Sequence, residues 1–131
     1  MQPELCEEVE EWLRRSGRDL LAAERVLQGQ EPLADVSVFH AQQAAEKALK
    51  AFLTAHKAGF PKTHDLDLLV RLCQTLDPEF ARFVMAADIL TPYAVRFRYP
   101  GGPLAPDVSE ARQAIQLASE IVAFVQQRLR R

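Results

Sequence analysis

The chain of 131 residues contains no asparagine, only five glycines, only four lysines and only two cysteines. Cys6 and Cys73 stand far apart, with no Cys-x-x-Cys and no cysteine–histidine cluster, which excludes a disulfide framework and a zinc knuckle and suits a reducing compartment. Of the three histidines, His40 and His56 lie sixteen residues apart with no second ligand three or four positions away, and none follows His64. No metal and no cofactor is therefore expected. No apolar run approaches the length of a membrane span, and the acidic start "MQPELCEEVEEW" is unlike a secretory signal, so no membrane contact is expected and cytoplasm follows by default. Pro100-Gly101-Gly102 lacks the strand and lysine of a phosphate-binding P-loop. The formal net charge of −2 gives no global field to draw in nucleic acid.

What is present reads as helix throughout, in a single domain spanning residues 1–131. Val9, Trp12/Leu13, Ser16, Leu20, Ala23 and Leu27 recur every three or four residues, with Pro3 suited to a first turn and Gly29 to a stop. A second helix runs from Leu33 or Asp35 to about Lys57, with Phe39, Gln42, Ala45, Leu49, Phe52 and His56 on one stripe. Its alanines make it slim enough for close neighbours, and Gly59 and Pro61 end it. Thr63 reads as the cap of a third helix that turns Leu66, Leu69/Val70 and Cys73 inward. Asp77-Pro78 restarts a helix burying Phe80, Phe83/Val84 and Ala87, and Thr91-Pro92 opens a short extra one. The last helix is capped by Asp107, and Val108, Ala111, Ile115, Ala118, Val122, Val125 and Leu129 step 3-4-3-4-3-4 along it. The expected fold is all-α: an up-down four-helix bundle with one broken arm and a short extra helix before the last long one.

The chemistry concentrates in "YAVRFRYPGG", residues 93–102. If extended, Arg96 and Arg98 point the same way and can grip one phosphate; if helical, they diverge by about 200° and cannot. Pro92 favours a helical start and Pro100 pushes Tyr99 out of the helical region, so one or two turns unwinding at Arg98-Tyr99 are expected. Alternatively the aromatics pack on the bundle while the arginines pair with acids of the first helix, which carries most of the eight acids among residues 1–31. The four lysines, at 47, 50, 57 and 62, read as a solvated face.

"FHAQQAAEKALKAFL", "KTHDLDLLVRL" and "YAVRFRYPG" together resemble, in order and spacing, the HEPN family of helical domains, over roughly residues 5–127. The resemblance implies a four-helix bundle, a homodimer, and pairing with a minimal nucleotidyltransferase in a two-component or toxin–antitoxin arrangement. Many such proteins are metal-independent ribonucleases using an arginine followed four to six residues later by a histidine. That motif is missing after both Arg96 and Arg98. RNA cleavage without metal needs a group that moves a proton near neutrality, and arginine only stabilises charge. The Arg-Tyr-Pro ending resembles the non-nuclease branch, which implies binding of a nucleotide or of the partner through His64, Tyr93, Arg98 and Tyr99. Arg96 is this chain's own addition. The remaining reading is an endoribonuclease toxin using Arg98 for charge stabilisation and His64 as proton shuttle.

Overall fold

The structure is a computed structural model and describes residues 3–97, 100–102 and 104–130. The described residues form five α-helices and no strand: α1 (Pro3–Arg25), α2 (Ala34–Ala55), α3 (Leu66–Leu76), α4 (Val84–Leu90) and α5 (Val108–Leu129). Two 3-10 segments, Pro78–Phe83 and Thr91–Ala94, flank α4. The up-down bundle with a broken arm is thus the observed fold, with α3, α4 and the 3-10 turns as the broken arm.

The slim α2 is the central element. Its buried set runs nearly all round the helix, from Ala34 and Val38 through Ala41, Ala44, Ala45 and Ala48 to Leu53 and Thr54. Alanines let backbones approach, and two buried serines bind the closest pair. The Ser16 hydroxyl donates to the Ala44 carbonyl at 2.7 Å, and the Ser37 hydroxyl to the Ala23 carbonyl at 2.8 Å, tying α1 antiparallel to α2. Both hydroxyls are fully satisfied, so their burial carries no desolvation deficit. At the far end, Phe52, Phe80, Phe83 and Phe124 interlock with ring centroids 4.6–6.2 Å apart, joining α2, the first 3-10 turn and α5.

Three boundary expectations need correction. Asp65, not Thr63, caps α3: its carboxylate accepts from Asp67 N at 3.0 Å and Leu68 N at 3.4 Å, while the Thr63 hydroxyl accepts from Asp65 N one step earlier. Asp35 lies inside the first turn of α2 rather than before it, and Leu33 occupies the cap position with no side-chain bond. Lys57, rather than Gly59, takes the left-handed backbone after α2, at φ 56°. Phe39 is only half-buried, and His56 is exposed, its ring Nδ1 3.0 Å from the Phe52 carbonyl. On α5 the expected seam is present, widened by Ala114, Ile121 and Phe124, because α5 packs against more than one neighbour.

Thr91 does something the sequence did not suggest. Its hydroxyl donates to the Ala87 carbonyl at 2.7 Å and accepts from Leu66 N at 3.1 Å. It thereby satisfies an orphan amide at the start of α3 and fastens the segment beginning at residue 91 to that helix start.

Candidate functional site

Gln42, Glu46 and Lys50 are spaced four apart, which stacks them on one face of α2. All three are buried. The Lys50 ammonium meets Glu46 Oε2 at 3.0 Å, with the two side chains only 8% and 5% exposed. Lys50 Nζ also sits over the Trp12 ring at 5.7 Å and over the Phe60 ring at 5.9 Å from their centroids, in cation–π contact with both. The other carboxylate oxygen, Glu46 Oε1, accepts from His64 Nδ1 at 2.8 Å and from Gln42 Nε2 at 3.3 Å. Gln42 Nε2 also donates to the His64 carbonyl at 2.9 Å, and Gln43 Nε2 to Gln42 Oε1 at 2.7 Å.

The histidine is gripped through both backbone and ring, yet its side chain is 64% exposed. A carboxylate can only accept, so it selects the tautomer with the proton on Nδ1 and leaves the lone pair of the neutral ring on Nε2. The lysine expectation is corrected here. Lys50 is buried in this network and Lys47 is half-buried on Asp19, because each finds a carboxylate on the α1–α2 side of the bundle.

The other anticipated residues divide. Tyr93 is buried, its hydroxyl donating to Glu110 Oε2 at 2.5 Å and its ring stacked on Phe97 at 6.2 Å. Burial, then the bond to Glu110, raise the phenol well above its ordinary value near 10. Tyr93 therefore anchors the segment to the start of α5, as in the alternative that packs the aromatics on the bundle, and has no face open for a nucleobase, which corrects its place among the candidate binding residues. Arg96 is exposed, and among the described residues its guanidinium engages no carboxylate. The expected pairing of Arg96 with acids of α1 is absent there. Phe97 adopts φ 70°, left-handed backbone that a non-glycine residue takes up only where the surroundings hold it, and the chain turns away from helix at that point. Arg98 and Tyr99, including the question of whether Arg98 shares a direction with Arg96, lie outside the described residues.

The Leu66–Thr91 bond sets the start of α3, two residues past His64, against the start of the segment that carries Arg96. Among the described residues no three His, Cys, Asp or Glu side chains cluster as metal ligands, and no helix is long and apolar enough to cross a membrane.

The HEPN domain family matches residues 9–128, and the chain belongs to that family. The crystal structure of an archaeal HEPN homologue superposes with a TM-score of 0.71, covering 93% of this chain and 98% of that one at 24% identity, a likeness of fold. No curated protein sequence gives a significant match.

Proposed function

We propose that this HEPN module binds a nucleotide through His64, Arg96, Arg98 and Tyr99, and that it docks a minimal nucleotidyltransferase partner at the end of the bundle that carries His64, with the module itself a homodimer in a toxin–antitoxin-like pair. One observation carries the reading: an exposed imidazole is oriented by a buried Glu46–Lys50 ion pair. Burying two charges costs several kcal/mol each before pairing returns it, about as much as an ordinary apolar pair would provide without the cost. A network of that expense, whose exposed outlet is one histidine, supports a role in presenting that histidine. Arg96 supplies a cation with no carboxylate partner among the described residues on the neighbouring segment, suited to a phosphate oxygen. Tyr93 supports the surface from behind by fixing the segment to Glu110.

Calorimetric titration with AMP and UMP tests this, each carrying one phosphate and one base. Saturable binding that falls at least tenfold in His64→Ala and Arg98→Ala, with melting temperature nearly unchanged, is the expected result. Unfolding of Arg98→Ala, or absence of binding to both nucleotides, would refute it.

The Glu46–His64 bond also favours one second reading. A carboxylate-held imidazole with a free Nε2 is the arrangement a general base uses, and a nearby arginine stabilises a phosphorane. Cleavage of a single-stranded RNA in the presence of chelator, abolished in His64→Ala, would select the endoribonuclease.

A further inference from the structure

The N-terminal segment is acidic overall, yet the fold gathers three of its four arginines on one side. Glu11, Arg14, Arg15, Arg18, Asp19 and Ala22 of α1 face His40 and Lys47 of α2 across a cleft of 380 Å³. Glu11 holds two cations, and Asp19 holds one cation and an imidazole. Glu11 is bonded by Arg14 and by Arg15 Nε at 2.9 Å, and Asp19 by Lys47 and by His40 Nδ1 at 2.8 Å. Hydrogen bonds from Arg14 and then Arg15 lower the Glu11 carboxyl to about 2, so it stays ionised as a clamp. Arg18 has no carboxylate partner among the described residues. Four permanent cations against two carboxylates leave a local surplus of two positive charges on a chain whose net charge is −2.

Gathering like charges costs Coulomb energy that shared carboxylates only partly offset. The arrangement leaves N–H donors of Arg14, Arg15 and Arg18 over for a ligand, because a guanidinium carries five and a single carboxylate engages at most two from any one guanidinium. We infer that the cleft between α1 and α2 binds the phosphate chain of a small polyphosphate, either a nucleoside triphosphate or inorganic polyphosphate. The site is independent of the nucleotide surface proposed above. A small ligand fits better than nucleic acid, since the cations line one short open groove and the molecule as a whole is acidic.

The probe is inorganic triphosphate, titrated calorimetrically into the full chain at low ionic strength. Saturable binding is expected, weakened about tenfold or more by Arg18→Ala, which removes a charge with no partner to orphan, and again by Arg15→Gln. Arg71→Ala, which deletes an exposed cation paired with Asp67 on α3, leaves the affinity unchanged. ATP binding as tightly as triphosphate assigns the chain alone as the ligand, and tighter ATP binding assigns the nucleoside triphosphate. No binding, equal binding by Arg18→Ala, or binding of an RNA oligomer without binding of triphosphate would overturn the proposal.

Discussion

Replacing Lys50 by methionine removes the one ammonium facing Glu46 while keeping a side chain of similar length between Trp12 and Phe60. With both charged side chains under a tenth exposed, solvent screens little, and removal of one partner from such a pair costs about 3–5 kcal/mol. The low end applies here, because His64 Nδ1 and Gln42 Nε2 still donate to the abandoned carboxylate. Methionine also retains a favourable sulfur–ring contact, so what is lost is charge rather than packing. A loss of about 3 kcal/mol corresponds to roughly 12 °C in melting temperature for a domain of this size. The double variant Glu46→Leu/Lys50→Met recovers most of the loss, since an apolar pair needs no partner. Thermal unfolding followed by circular dichroism reads all three proteins. A single variant melting within about 3 °C of the parent would show that the pair does not organise this face.

Other consequences are direct. Burial raises the Cys73 thiol to about 12, and Cys6 is half-buried, so a small alkylating reagent at mildly alkaline pH labels Cys6 alone until the protein unfolds, as mass spectrometry shows. The Tyr93 phenol titrates higher in the folded than in the unfolded chain. Its contribution is complete below about pH 10 and is lost as pH rises beyond it, so Tyr93→Phe flattens the alkaline fall in melting temperature. Asp65→Ala deletes the α3 cap and lowers stability by about 1 kcal/mol in urea, with Asp65→Asn restoring most of it.

The frame of the fold was readable in the residues for a simple reason. The seams of α1 and α5 repeat at the helical period, and buried Ala111, Ala118, Val122 and Val125 stand where that period puts them. Cap positions were less legible, because Thr63, Asp65 and Asp67 are all competent and only the backbone path decides among them. The candidate site was half legible. His64 was recognised, but Lys50 was read as solvated although the four-residue spacing of Gln42, Glu46 and Lys50 beside Ala45 and Leu49 already places all three on a buried face. Their partners come from α1 and from residues 60–64, which are remote in sequence. The packing of Tyr93 on the bundle was among the readings of its segment, but the acid that claims its hydroxyl, Glu110, lies seventeen residues on and was not legible. The grouping of Arg14, Arg15 and Arg18 with Lys47 was hidden by the acidic average of the segment around them.

The most direct test is a proton–nitrogen correlation spectrum of the uniformly labelled protein, including the histidine ring region, recorded as AMP is added. Nucleotide binding through His64 and Arg96 predicts saturable shifts at the His64 ring and at the amides of Val95, Arg96 and Phe97, with the α1–α2 cleft around Arg18 silent to this single-phosphate ligand. Saturable shifts confined to other faces of the bundle, or none at all, would contradict it.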